Sequence, residues 1–132
     1  MPTPQSDSTR RFINLPGRPD GLPFSDAVLA GNTLYISGRI GIDDSGQVPP
    51  AIADELKILF AEFEAVLAAA GMTMNDLVQV QIFCPDVSLW AEFNREYVKH
   101  FHAPFPARAF LGSGPLLLNG RFEMMGIAVK SS

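Results

Sequence analysis

At 132 residues the chain is long enough for one hydrophobic core and too short for two. Its net charge of −4 and pI near 5.0 argue against a generic affinity for nucleic acid, and Arg10-Arg11 is its only pair of adjacent basic residues. Hydrophobic residues make up 47% and charged residues 18% of the chain. Typical soluble domains carry roughly 25% charged residues, so the apolar excess is expected to lie in subunit contacts.

In chain order, residues 1–10 read as a polar, Pro/Ser-rich disordered tail, and residues 11–132 as one domain. Arg11 to Leu15 can form a short first strand. Ala27 to Ala30 and Thr33 to Ser37 flank the turn pair Gly31-Asn32 and read as a tight hairpin, with strand pattern continuing to Ile42. After Pro49-Pro50, apolar residues from Ile52 to Ala70 repeat on one helical face over Ala51–Ala70, and Gly71 supplies the stop. Val78 to Phe83 alternates as a strand that Pro85 ends. Leu89, Phe93, Tyr97 and Phe101 mark a second helix over 88–101, capped by Asp86 or Ser88. Arg108 to Leu111 and Arg121 to Val129 are the last two strands. Two amphipathic helices can cover one face of such a sheet, and its other face is apolar too, so self-association is expected.

No apolar run reaches the roughly 18 residues of a membrane span, and residues 1–20 lack the hydrophobic stretch of a signal peptide. A cytoplasmic location is expected. The single cysteine, Cys84, reads as a small buried hydrophobe, and His100 and His102 as surface residues without a metal cluster around them.

Glu123 is a lone carboxylate in an apolar strand, fifteen positions after Arg108, and needs a reason to be there. If the two strands pair as a hairpin, the two residues lie opposite each other, with the midpoint between Pro115 and Leu116. A planar guanidinium can hold a carboxylate through two parallel hydrogen bonds, and a nearby glutamate can move a proton to and from water. By themselves the residues leave a buried structural ion pair open. Taken alone, Asn94 reads as a solvent-facing helix residue and Ser37 as strand wall.

Several short motifs occur together in a fixed order: Pro23-Phe24-Ser25, Ala30-Gly31-Asn32, Ile36-Ser37-Gly38, Ala69-Ala70-Gly71, Phe93-Asn94-Arg95-Glu96-Tyr97, Phe105-Pro106-Ala107-Arg108, and Glu123 with Gly126-Ile127-Ala128-Val129. Over residues 21–130 the chain resembles the RidA/YjgF reactive intermediate deaminases, also called the L-PSP endoribonuclease family. The resemblance implies an α+β, chorismate-mutase-like fold of the bacillar type, with a mixed sheet of about six strands and two helices on one face. It also implies a homotrimer with pockets between subunits, and hydrolysis of enamines or imines such as 2-aminoacrylate to 2-keto acids and ammonia.

Carried over by position, Arg108 holds the substrate carboxylate and Glu123 positions the attacking water. Ser37-Gly38 forms a pocket wall and Asn94 lies near it. Phe24 stands where deaminating members carry a tyrosine, and Phe110 where the backbone contacts the ligand. An imine is already electrophilic, so no metal or cofactor is expected. Two positions depart from the pattern: Phe24 lacks a hydroxyl, and Arg39 replaces a neutral residue. If Arg39 reaches the pocket, a second cation favours an aminomuconate-type acid; on a strand edge it would point to solvent instead. A binder of 2-keto acids without catalysis is the reading from another class, and Phe24 favours it.

Overall fold

The computed structural model describes residues 9–131. The tail expected over 1–10 lies outside the described residues up to residue 8, and Arg10 is already the first residue of strand β1 (Arg10–Ile13). β2 (Ala27–Ala30) and β3 (Thr33–Ile40) form the expected hairpin. Its turn uses Gly31 at φ +62°, a left-handed conformation that glycine adopts without steric cost. Helix α1 (Ile52–Ala69) follows, then β4 (Leu77–Cys84), helix α2 (Trp90–Tyr97), β5 (Ala107–Gly112) and β6 (Glu123–Val129).

α1 forms where the apolar spacing places it, and it buries Leu56, Leu59, Phe60, Phe63, Val66 and Leu67. Asp54 and Glu55 in its first turn complement the positive end of the helix dipole. α2 is shorter than the expected 88–101. Short 3₁₀ turns at Val87–Leu89 and Val98–His100 take up the remainder, and Phe101 then leaves in an extended conformation. Such tightening is common at helix ends. Asp86 caps the entry by accepting from the Ser88 amide at 3.0 Å.

The six strands run in the order β1-β2-β3-β6-β4-β5. β6 is antiparallel to both β3 and β4, while β5 lies parallel to β4 at the edge. The hairpin expected between the strands of Arg108 and Glu123 therefore does not form, because β4 lies between them. Their connecting segment is too long for a tight turn, and β6, apolar on both faces, gains two paired edges by entering the middle of the sheet. Gly126 permits this close fit, since a Cβ there would sit 3.1 Å from the Gln79 carbonyl oxygen and 3.2 Å from the Phe63 ring.

Both helices pack on one face of the sheet. Phe93 of α2 lies 5.8 Å from Phe60 of α1, 5.2 Å from Phe122 and 5.4 Å from Phe110, centroid to centroid, so aromatic rings join the two helices to the strands beneath. The other face is uncovered, and Phe12, Tyr35, Met125 and Val129 on it are exposed.

The start of β6 is fixed by a buried carboxylate. Glu55, fully buried in α1, accepts from the Arg121 amide at 2.8 Å, from Arg121 Nε at 2.6 Å and from the Phe122 amide at 3.3 Å. Arg121 also donates to the carbonyls of Pro49 and Pro50. Breaking one side of such a pair leaves an uncompensated buried charge, typically a loss of about 3–5 kcal/mol. Arg121→Met is accordingly expected to lower stability at the low end of that range, because Glu55 keeps its two backbone donors; the urea unfolding midpoint measures it.

Candidate active site

Side chains alternate along β6: Met124, Gly126 and Ala128 face the helices, while Glu123, Met125, Ile127 and Val129 face the open side. Glu123 sits in a row across the open face with Ile40, Phe83 and Leu111, its register partners on β3, β4 and β5. Beside it β3 carries a bulge. Ile36 pairs with Gly126 and Arg39 with Met124, so Ser37 and Gly38 together oppose Met125. The extra residue brings Gly38 under the Glu123 carboxylate, and a Cβ at Gly38 would lie 2.1 Å from Glu123 Oε2. Ser37 is held from the other side: its hydroxyl donates to the Ser25 carbonyl at 2.6 Å and its amide to the Asp26 carbonyl at 3.0 Å. Phe24, half exposed, precedes this pair, and the Arg18 guanidinium stacks over its ring at 5.3 Å. Ser37, Gly38 and Glu123 thus form one cluster, while the Phe24 ring packs with Arg18 beside the segment that holds Ser37.

Arg108, Asn94 and Phe110 form the other. Arg108 and Phe110 alternate onto the helix face of β5, and Arg108 Nη1 donates to Asn94 Oδ1 at 2.7 Å. The guanidinium carbon lies 4.8 Å from the Tyr97 ring centroid and 5.8 Å from those of Phe93 and Phe110, so the cation rests in an aromatic cradle. Burial pushes the Tyr97 hydroxyl up to about 12, a rise that the adjacent Arg108 charge reduces. Asn94, Tyr97, Val98, Phe105, Pro106 and Arg108 line a cleft of about 270 Å³ at this sheet edge. Tyr97 was legible in the sequence only as a core residue. Its spacing of three from Asn94, which puts both on one helix face, is the signal that ties it to Arg108.

The two clusters do not meet within the chain. Arg108 pairs with Val80, which pairs with Gly126, three residues along β6 from Glu123. Two strand spacings and that offset separate the two Cα atoms by roughly 14 Å, and the side chains lie on opposite faces. A buried ion pair between them is excluded by the same geometry.

Arg39 reaches neither the pocket nor solvent. Its side chain, 17% exposed, turns to the helix face and contacts Asp26 and Glu62, each at 3.2 Å. His100 is not a free surface residue either: it stacks on Phe60 at 4.4 Å and lies 3.1 Å from Glu96 and 3.6 Å from Glu64. Cys84 is buried, as expected, and burial pushes its thiol up.

The endoribonuclease L-PSP family model matches residues 18–130. The chain belongs to this family, the RidA/YjgF proteins. It is 37% identical over 125 residues to the 2-iminobutanoate/2-iminopropanoate deaminase of Dermatophagoides farinae, covering 92% of this chain and 98% of that one. To the human protein of the same name it is 34% identical over 128 residues, covering 95% and 93%. Among solved structures, the YjgF gene product of E. coli superposes with a TM-score of 0.82 at 28% identity, covering 92% of this chain and 99% of that one. RidA from an Antarctic Psychrobacter gives 0.79 at 30% identity, covering 85% and 92%.

Within this L-PSP framework Gly38 leaves the space that the Glu123 carboxylate occupies. No positive φ constrains it, so alanine can adopt its backbone. Gly38→Ala is expected to fold with a thermal midpoint close to wild type while its Cβ displaces the Glu123 carboxylate. A displacement of about 1 Å can lower turnover on the order of 10²-fold. Steady-state kinetics beside a melting curve test this.

Proposed function

We propose that the protein hydrolyses imines of small 2-keto acids, of the 2-iminobutanoate and 2-iminopropanoate type, to the keto acid and ammonia. The observation that carries this reading is a guanidinium in an open cleft and a carboxylate seated against a glycine, at the positions that match the family motif. The curated relatives' names describe the same reaction.

The chemistry follows from the two groups. Arg108 orients the substrate by a paired hydrogen bond to its carboxylate, which places the adjacent C=N carbon. Glu123 takes a proton from water as the oxygen adds to that carbon and returns it to the imine nitrogen, giving a carbinolamine. It then takes the hydroxyl proton as the C–N bond breaks and delivers it to the departing nitrogen, so ammonia and the keto acid leave and Glu123 is restored. An enamine such as 2-aminoacrylate enters after tautomerising to its imine.

A second protomer completes the site. The helix-face edge carrying Arg108 and the open face carrying Glu123 are different surfaces, so a contact that unites them is heterologous, and it gives a ring when the rotation between protomers closes. The smallest such ring is a trimer, and it would cover the apolar open face.

Two measurements test the proposal. Freshly generated 2-aminoacrylate should release ammonia faster with protein than in buffer, and light scattering across a dilution series should report three subunits. Keto-acid binding without ammonia release would favour the non-catalytic reading, and a monodisperse monomer would remove the shared site.

A further inference from the structure

Arg39 departs from the family pattern, yet it lies beneath the Glu123 half of the site rather than in it. We propose that Arg39 is a positioning residue: anchored under the sheet by Asp26 and Glu62, it fixes the β3 bulge that lets Gly38 receive the Glu123 carboxylate. The inference rests on the reaction proposed above for its kinetic arm only.

In an unbroken strand, alternation would send Gly38 to the helix face and Arg39 to the open face, because residues on successive positions point to opposite sides. The bulge reverses both, and it does so only while Arg39 remains on the helix side. What keeps it there is a chain of four charges. Arg18 lies 3.0 Å from Asp26 Oδ1, Arg39 Nη1 lies 3.2 Å from the same oxygen, and Arg39 Nη2 lies 3.2 Å from Glu62 Oε1. Asp26 is itself fixed, since its other carboxylate oxygen accepts from the Leu15 amide at 2.7 Å and its own amide donates to Asn14 Oδ1 at 3.0 Å. Glu62 belongs to α1, so the bulge is tied to the most regular element of the fold.

The same network reaches Phe24 and Ser37. Arg18 Nη2 donates to the Phe24 carbonyl at 2.6 Å, and the Asp26 carbonyl receives the Ser37 amide. The groups around Glu123 are thus set from below by charges that never touch substrate. Arg39 Nε is buried without a hydrogen-bond partner, so the side chain is held by its two terminal nitrogens. That geometry suits a guanidinium bridging two separate carboxylates and suits a lysine only in part.

The test compares Arg39→Met, which keeps an unbranched apolar stem without the charge, with Arg39→Lys and with Asp26→Asn. In Arg39→Met, kcat should fall roughly tenfold or more while KM stays within about twofold, because the guanidinium that binds the substrate carboxylate belongs to the other cluster. Arg39→Lys should recover part of the loss, and Asp26→Asn should reproduce part of it should Arg39→Met fail to fold. The second readout does not depend on activity: the ¹³C carboxyl resonance of Glu123, assigned with Glu123→Gln, should move in Arg39→Met and remain near its wild-type position in Arg39→Lys. An unmoved Glu123 resonance in folded Arg39→Met overturns the proposal, as does equal kcat. A wild-type protein without deaminase activity would defeat the proposed reaction and leave the resonance to decide the role of Arg39.

Discussion

Arg108→Ala is expected to remove nearly all deaminase activity from a folded protein. Among the described residues the guanidinium is the only cation lining the cleft beside Asn94 and Tyr97, and truncating one partner of a buried charge pair costs about 2–5 kcal/mol. That range corresponds to a loss of roughly 30-fold to several thousand-fold in kcat/KM. Arg108→Lys keeps the charge but loses the planar fork and much of the stacking on Tyr97, Phe93 and Phe110, so it should fall between wild type and alanine. Near-UV circular dichroism reports whether the aromatic cradle persists. Undiminished activity in a folded Arg108→Ala protein would make the residue structural and end its role as carboxylate anchor.

Glu123→Gln should separate binding from turnover. The amide fills the same space over Gly38, so neither the bulge nor the strand pairing of Glu123 with Ile40 and Phe83 is disturbed. It cannot accept and return a proton, and removal of a general base lowers rates typically by 10²–10⁴-fold. A keto-acid product should still bind, because Arg108 is intact, and isothermal titration calorimetry measures that directly. If turnover is unchanged, water adds to the imine without help from this carboxylate. If binding is lost as well, Glu123 holds the ligand rather than the water.

These two substitutions act on residues that stand apart in one chain, so their effects should combine in a mixed assembly in a characteristic way. Neither variant alone should be active, whereas co-assembled Arg108→Ala and Glu123→Gln protomers can form a site with both native groups at one of the shared interfaces. Recovery of activity on mixing after dissociation would be direct evidence that one protomer supplies the guanidinium and its neighbour the carboxylate.

Whatever depends on neighbours along the chain was legible before the fold was known. The period of apolar residues placed α1 to within a residue at each end, Gly31-Asn32 placed the β2-β3 turn, and the order of short motifs pointed to the family and singled out Arg108 and Glu123. What depends on strand pairing emerged with the fold. Whether Arg108 and Glu123 lie side by side is a question of which strand fills the middle of the sheet, and β6 took the place between β3 and β4 because both of its edges and its helix-facing side found apolar partners there. Whether Arg39 enters a pocket or supports one is decided by a single extra residue in β3. One added position inverts every later side chain with respect to the two faces, and no local signal in Ser37-Gly38-Arg39 distinguishes a bulge from an unbroken strand until Asp26 and Glu62 are brought beneath it.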